Sequence, residues 1–297
     1  MKVIKSILIG LAVLVGFWAL FCGKYAVSYW FYEQAVDAAQ AGKDPTPDLA
    51  NAITWINDDE NALASLQGRL EGQVGRLMDA GNFKGAASLM NAAIPIEEHI
   101  WGKGNALCKK MYITLIICDI NAGNYDHAGL ALQESIADNT DEVKNHPNDP
   151  MYKPEDPIYK AKRVLLTGEL MEDKGLKDRA VKLYRMGLQA AEMSQKIDRS
   201  DTGKRDALWI LARAQADLGT LLKNETQNAF AANVADSVDC ERYLAAARQT
   251  AAAAAQVQVN DPAAQYQLQD FMDNFNTMMG TNYKTDKERV DKLLGTT

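Results

Sequence analysis

The chain has little proline, little cysteine and no excess of positive charge, and each of these shortages excludes some classes of protein. Eight prolines in 297 residues, beside abundant alanine, favour helices over strands. A formal net charge of −7 argues against a nucleic-acid binder, which needs a basic face to displace counterions. We therefore expect an all-α protein that does not bind nucleic acid.

The spacing of the four cysteines does not indicate a disulfide framework or a metal site. None of them lies in a CxxC pair or at metal-site spacing. Cys108 and Cys118 are ten positions apart on one predicted helix, a rise of about 15 Å, so they cannot pair with each other. We expect these two thiols and that of Cys240 to be buried and reduced.

Histidine is equally scarce. His99, His127 and His146 fall in three different turns or loops, whereas a zinc site needs three or four converging ligands. No G-x-S-x-G, P-loop or Rossmann glycine set is present. We assign no catalytic, cofactor-binding or metal residue and expect a protein that is not an enzyme. A hydrolase built on a helical toroid is the least favoured alternative.

One long apolar run stands at the N-terminus. Ser6 to Gly23 carries no charge, and 18 helical residues span about 27 Å, which is enough for the core of a bilayer. Lys2 and Lys5 precede it, so the positive-inside rule places the N-terminus in the cytoplasm and the bulk outside. The prediction is a single-pass protein of a bacterial inner membrane with a periplasmic body. The alternative is a signal peptide cleaved after Ser28, leaving a secreted or periplasmic chain.

Aromatic residues follow this run directly. Their position is typical of the aromatic belt at a membrane–water interface. They are Tyr25, Tyr29, Trp30, Phe31 and Tyr32.

A pattern of one glycine followed by one alanine occurs three times in the rest of the chain. A glycine ends one amphipathic helix, and an alanine follows five positions later in the next; the pairs are Gly81 and Ala86, Gly123 and Ala128, and Gly175 and Ala180. The spacing predicts helix pairs over 59–80 and 84–94, ending near Pro95, over 104–122 and 126–137, and over 158–174 and 177–195. Further helices are predicted over 204–222, 238–258, 261–279 and 284–294. Such pairs stack into a solenoid.

These observations divide the chain into four segments. Residues 1–24 are the predicted transmembrane anchor and residues 25–57 a juxtamembrane helix with its linker. Residues 58–195 hold the three repeats, and residues 196–297 hold divergent helices with a short capping helix at the end.

The pairs resemble tetratricopeptide (TPR) repeats. The first pair carries the full pattern of large, small and aromatic positions: Leu70, Val74, Leu77, Gly81, Phe83, Ala86, Met90 and Ala93. The second pair has Ser135 in place of the last alanine, and the third has Lys177 in place of the aromatic residue. The glycines are 42 and 52 positions apart instead of 34. The resemblance implies a right-handed solenoid of antiparallel helix pairs. It also implies that a protein partner binds on the concave face of the solenoid, which is lined by the first helix of each pair.

A proline-rich segment at 138–157 leads into the third pair, where a basic run begins. We predict a partner site for an acidic segment there, made of exposed side chains: Tyr152, Tyr159, Lys160, Lys162 and Arg163. The alternative is a loop that spans a widened repeat, with the charges solvated.

The functional prediction is a membrane-anchored, extracytoplasmic TPR-like scaffold that binds a protein partner in a membrane or envelope assembly. A structural accessory subunit of a multi-subunit membrane complex is the alternative. Gly10, Ala12 and Gly16 give the predicted span a small-residue face suited to packing against other membrane helices.

Overall fold

The structure, a computed structural model, describes residues 23–57, 59–102, 106–137, 157–197, 199–228, 234–257 and 285–296. Within these ranges it contains eleven helices and no strand, so the all-α prediction is confirmed. The helices are α1 (23–40), α2 (Thr46–Thr54), α3 (Glu60–Asp79), α4 (Phe83–Trp101), α5 (Ala106–Ala122), α6 (Tyr125–Ile136), α7 (Pro157–Asp173), α8 (Lys177–Ser194), α9 (Asp201–Asn228), α10 (Val234–Gln256) and α11 (Asp286–Leu294).

The chain divides into two units, unit 1 (Met1–Tyr152) and unit 2 (Lys153–Thr297). In unit 1, α3 packs on α4, α4 on α5 and α5 on α6. In unit 2, α7 packs on α8, and α9 contacts α7, α8, α10 and α11. The third predicted pair, α7 and α8, lies in unit 2 together with α9, α10 and α11.

The turns between paired helices share one backbone geometry. Gly81 has a φ of 74°, and the N–H of Asn82 beyond it donates to the carbonyl of Leu77 over 2.8 Å. Gly123 repeats this with a φ of 83° and a bond of 2.8 Å from the N–H of Asn124 to the carbonyl of Asp119. This is the Schellman ending of a helix, in which a left-handed residue lets the chain reverse. Gly42, Gly175 and Gly295 also have positive φ and end their helices in the same way.

The alanine five positions after each predicted turn glycine is fully buried. Ala86, Ala128 and Ala180 each have no exposed surface. A small side chain here lets the second helix of a pair lie close to the first, because a larger one would fill the contact. The structure thus contains neighbouring helix pairs of the kind that the sequence predicts.

Two glycines hold α7 and α8 at close range. A Cβ atom on Gly168 would lie 2.7 Å from Cε1 of Tyr184, and one on Gly187 would lie 2.5 Å from Cδ2 of Leu165. Gly219 has the same role against α10, where a Cβ would meet Cγ of Leu244 at 2.9 Å. The spacing between these helices depends on the missing side chains.

The predicted helix end near Pro95 is wrong. α4 continues through Pro95 to Trp101. A proline inside a helix removes one backbone hydrogen bond and costs about 3 kcal/mol. Ile94 and Ile96 on either side of it are buried, and the burial of these two side chains offsets that cost.

The bounds of two C-terminal helices differ from the prediction. α9 extends to Asn228, six residues beyond the predicted end at 222, and α10 begins at Val234, four residues before the predicted start at 238. The predicted helix over 261–279 lies outside the described residues. Cys108, Cys118 and Cys240 are buried and reduced, as expected.

The predicted membrane anchor, residues 1–24, lies outside the described residues, apart from Gly23 and Lys24 at its end. Of the helices in the described ranges, none combines the length and the apolar character that a membrane span requires.

Candidate functional site

The structure describes four of the five residues predicted to bind a partner, and all four lie on α7. Tyr159 and Lys160, near its start, are half-buried, whereas Lys162 and Arg163 are buried. The fifth residue, Tyr152, lies outside the described residues. The assumption that these side chains are exposed is therefore wrong for Lys162 and Arg163, while partner binding itself stays a prediction.

The burial follows from the position of α7. Every residue from Ala161 to Met171 is buried, so this helix has no solvated face along that stretch. A lysine is almost never enclosed in this way unless it is paired. The charges on α7 must therefore find partners inside unit 2.

Lys162 finds its partner on the last described helix. Its Nζ lies 3.2 Å from Oδ2 of Asp286, at ion-pair distance but outside hydrogen-bonding geometry. Asp286 is the first residue of α11, and Thr285 before it caps that helix. The pair therefore joins α7 to the start of α11.

Arg213 on α9 is the centre of the arrangement. Its Nη1 donates to Oδ1 of Asp286 over 2.8 Å, and its Nη2 donates to Oε2 of Glu169 over 2.8 Å. Its Nε donates to Oδ2 of Asp217, one turn further along α9, over 3.4 Å. One fully buried guanidinium thus links α7, α9 and α11.

Arg289 on α11 uses the remaining oxygens of the same carboxylates. Its Nη1 lies 3.0 Å from Oε1 of Glu169, and its Nε donates to Oδ1 of Asp217 over 2.9 Å. Two arginines therefore share two carboxylates. We call the full set the ionic cluster; it comprises Lys162, Glu169, Arg213, Asp217, Asp286 and Arg289.

A buried tyrosine extends the ionic cluster. The hydroxyl of Tyr184 donates to Oε2 of Glu172 over 2.6 Å, and the same oxygen lies 3.8 Å from Nη2 of Arg289. Tyr184 has no exposed surface. Its ring is the one that packs over Gly168, so the polar contacts and the close helix approach share one side chain.

Burial and ion pairing oppose each other in this cluster. Burial raises the pKa of Glu169, and Arg213 and Arg289 only partly counter it. At Asp286, burial also acts to raise the pKa, but Lys162 and Arg213 outweigh it and hold the pKa below its usual value. Asp286 is therefore the carboxylate that the two cations stabilise most clearly in its charged form.

The arrangement is suited to holding helices together. Three cations face three carboxylates. All three guanidinium nitrogens of Arg213, and Nε and Nη1 of Arg289, each lie near a carboxylate oxygen of the cluster. Among the described residues, no group of histidine, cysteine, aspartate and glutamate side chains could hold a metal ion. These ion pairs join α7, α9 and α11 to one another, so the cluster fixes the position of α11 within unit 2.

Sequence reasoning missed most of this cluster, although α9 carried a signal. Arg213 and Asp217 are one turn apart, and apart from Gln215 the residues between and beside them are apolar or small: Ala212, Ala214, Ala216 and Leu218. An oppositely charged pair on such a face indicates a buried ion pair. Its partners on α11, more than 70 positions away, had no comparable local signal.

A second feature lies in unit 1, on α1. One face of this helix is buried through Tyr32, Ala35 and Ala39, and the Tyr32 hydroxyl contacts the carbonyl of Arg69 on α3 at 3.4 Å. Trp30 lies on the opposite side with an exposed fraction of 57 %, whereas Tyr29 lies beside Tyr32, with ring centroids 5.7 Å apart, and has an exposed fraction of 48 %. We call Tyr25, Tyr29 and Trp30 the aromatic face; Tyr25 is also exposed.

The histidines do not converge in the described part of the chain. His127 contacts the buried carboxylate of Asp119 at the turn between α5 and α6, where Asn124 also donates to Asp119 over 3.3 Å. His99 lies in the last turn of α4 and is exposed. His146 is outside the described residues. Asp119 therefore has a structural role in the second turn.

No protein-family model and no curated protein matches this chain.

Proposed function

We propose that the chain is a membrane-anchored, extracytoplasmic scaffold of TPR-like helix pairs that binds a protein partner in a membrane or envelope assembly. The observation that carries the proposal is that α1 is both packed on unit 1 and partly exposed. This helix starts where the predicted span Ser6–Gly23 ends, is fixed to unit 1 along one face and still exposes the three rings of the aromatic face.

The fixed side of α1 would couple the anchor to the body. A Cβ on Gly85 would lie 2.6 Å from the carbonyl oxygen of Ala39, and the side chain of Asn82 donates to the carbonyl of Gln40 over 3.3 Å. The first turn of the repeats therefore packs directly on the C-terminal end of α1. A span that continues into α1 would hold unit 1 near the bilayer, not on a flexible tether.

The exposed rings of α1 suit the bilayer surface. Tyrosine and tryptophan favour the interface because each has an apolar ring and a polar tip. Lys24 lies over the Tyr25 ring at 5.1 Å and Arg69 over the Tyr29 ring at 5.2 Å, so cations accompany two of the three rings. Cations in this position would face lipid phosphates.

Alkaline carbonate washing of membranes, followed by N-terminal sequencing of the retained chain, tests the anchor. We expect the chain to stay in the membrane with its N-terminal segment uncleaved. Leu14→Arg, which places a charge in the middle of the predicted span, is the control and should abolish retention. A soluble chain that begins at Tyr29 would overturn the anchor.

Detergent extraction, affinity purification and mass spectrometry test the scaffold role. We expect a protein partner to copurify with the full chain and to remain bound after a high-salt wash. Copurification in fixed stoichiometry with several membrane subunits would instead favour the accessory-subunit alternative. Purification of the chain alone, with or without crosslinking, would contradict both.

A further inference from the structure

The outward face of α8 in unit 2 exposes large apolar side chains in a line. Met186 and Met193 are seven positions apart on the helix, and Ile197 follows four positions later in the turn that ends it. Their exposed fractions are 40 %, 58 % and 43 %. Ala190, on the same side between the methionines, is half-buried. We call Met186, Met193 and Ile197 the α8 stripe.

The opposite side of α8 explains why the stripe points outward. Ala180, Tyr184, Gly187 and Ala191 are buried against the neighbouring helices, and the contact at Gly187 is too close to allow the helix to turn. Rotating the methionines inward would drive Tyr184 and Leu188 into water. The exposure of the stripe is therefore fixed by the packing of unit 2.

Basic side chains border the stripe along one edge. Lys182, Arg185 and Lys196 are exposed and lie within one turn of a stripe residue. Glu192 is the one acid on the exposed side of the helix between them. The residues from 153 to 205 are also the basic part of this acidic chain, with thirteen Lys or Arg against nine Asp or Glu. The α8 stripe is thus an apolar line with a positive edge.

We infer that the α8 stripe is a docking surface for an amphipathic helix of a protein partner, one with an apolar face and acidic flanks. The inference rests on the proposed role of the chain as a scaffold and names the kind of partner. The seven- and four-residue spacing matches the apolar seam by which two helices pack, and flexible methionine side chains adapt to such a face. The positive edge favours acidic flanks and disfavours basic ones.

Two other occupants fit the same surface less well. A second copy of this chain docking through the same face would bring like charges together. A membrane surface is favoured by exposed tryptophan and tyrosine, and in the described residues those exposed rings lie in unit 1, at Tyr25, Tyr29, Trp30 and Trp55. The α8 stripe contains no aromatic residue.

The test measures binding of a fluorescent 18-residue helical peptide with leucine at alternating three- and four-residue spacing and glutamate on its flanks. The full chain in detergent is titrated at low and at high salt. We expect binding that weakens with salt, and no binding of the same peptide with lysine in place of glutamate. Equal binding of both peptides would overturn the charge complementarity and with it the inference.

Variants then locate the site. Met186→Gln with Met193→Gln should weaken peptide binding about tenfold or more, because an interface loses most when its buried apolar contacts are removed. Leu130→Gln, which changes an apolar residue of unit 1 that is 60 % exposed, is the matched control and should bind as the unaltered chain does. Circular dichroism should show equal folding of all three, because the altered side chains are exposed. Equal binding by the stripe variant and the control would overturn the inference.

Charge reversal provides an independent arm. Lys182→Glu with Arg185→Glu should weaken binding of the acidic peptide and flatten its salt dependence, whereas Lys43→Glu with Lys84→Glu makes the same change in net charge in unit 1 and should have little effect. Vesicles of phosphatidylglycerol and phosphatidylethanolamine test the membrane. If the stripe variants reduce vesicle binding and leave peptide binding intact, the docking inference is wrong.

The outcome can be separated from that of the proposed function. If the native partner copurifies equally with the stripe variants and the unaltered chain, the scaffold stands and the α8 assignment falls. If no partner copurifies with the unaltered chain, the proposed function itself falls.

Discussion

Nη1 of Arg213 and Oδ1 of Asp286 lie 2.8 Å apart, although 73 positions separate the two residues in the sequence. The contact brings the beginning of α11 against the buried middle of α9. Lys162 approaches the other oxygen of Asp286 from α7. A single carboxylate therefore meets two buried cations, and the placement of α11 depends on it.

Asp286→Asn keeps the shape of this side chain and removes its charge. We expect it to destabilise unit 2 by about 3–5 kcal/mol, because Arg213 and Lys162 would stay buried with too little negative charge. Chemical denaturation followed by circular dichroism measures the change. Lys287→Ala is the control, since it breaks the exposed pair of Lys287 and Asp291 on the same helix and should cost less than about 1 kcal/mol. Equal losses in the two variants would contradict a role for the buried cluster.

The local features of the fold were predictable from the sequence. A helix-ending glycine such as Gly81 and a helix-packing alanine such as Ala86 act on neighbours a few positions away, so their spacing alone revealed the pairs. Pro95 was misread because the burial of Ile94 and Ile96, which outweighs a lost hydrogen bond, depends on helices elsewhere in unit 1.

The charges were not predictable in the same way. Lys162 and Arg163 follow a lysine and precede an apolar run, a pattern that usually marks a solvated helix start. Their burial comes from the enclosure of α7 within unit 2, and the partner of Lys162 lies 124 positions away at Asp286. The local sequence carries no information on such a distant contact. The same burial means that replacing Lys162 with glutamate would disrupt folding before it could test partner binding.

The turn glycines should be costly to replace even though there is space around them. Gly81 and Gly123 have φ values of 74° and 83°, and a Cβ at either position would meet no atom within 4 Å. Alanine there should destabilise unit 1 by about 1–2 kcal/mol, through backbone strain alone. Thermal melts check this. Gly72→Ala, inside α3 and also in open space, should instead stabilise by up to about 1 kcal/mol. Changes of the same sign at Gly72 and Gly81 would contradict the argument.

Gly168 tests a different constraint, that of close packing. A Cβ there would lie 2.7 Å from the ring of Tyr184, which is fully buried and is also fixed by its hydrogen bond to Glu172. Because the ring has little room to move, we expect Gly168→Ala to destabilise unit 2 by about 1–3 kcal/mol. Gly129→Ala on α6 adds the same methyl group in open space and serves as the control. If Gly168→Ala melts at or above the temperature of the unaltered chain, α7 and α8 are not held by this contact.

Glu97 gives the fold of unit 1 a dependence on pH. It lies on α4 with no exposed surface, and neither carboxylate oxygen has a hydrogen-bond partner within the described ranges. Burial raises its pKa to about 7, Glu71 adds to the effect and Lys110 opposes it.

The sign follows from the proton that the folded state retains. Below about pH 4.5 Glu97 is protonated in both the folded and the unfolded chain, so its titration does not change the stability there. Between there and about pH 7 the unfolded chain releases the proton first, and stability falls as the pH rises. Above that range the loss levels off at up to about 3 kcal/mol.

Glu97→Gln has no proton to release and should remove this slope. We expect it to be more stable than the unaltered chain at pH 8 and nearly equal to it at pH 4.5, as measured by denaturation midpoints at both values. Glu60→Gln is the control, because Glu60 is exposed at the start of α3 in the same unit and its replacement should leave the slope unchanged. A stability difference between Glu97→Gln and the unaltered chain that is the same at pH 4.5 and pH 8 would show that Glu97 is ionised, or solvated, in the folded protein at both values.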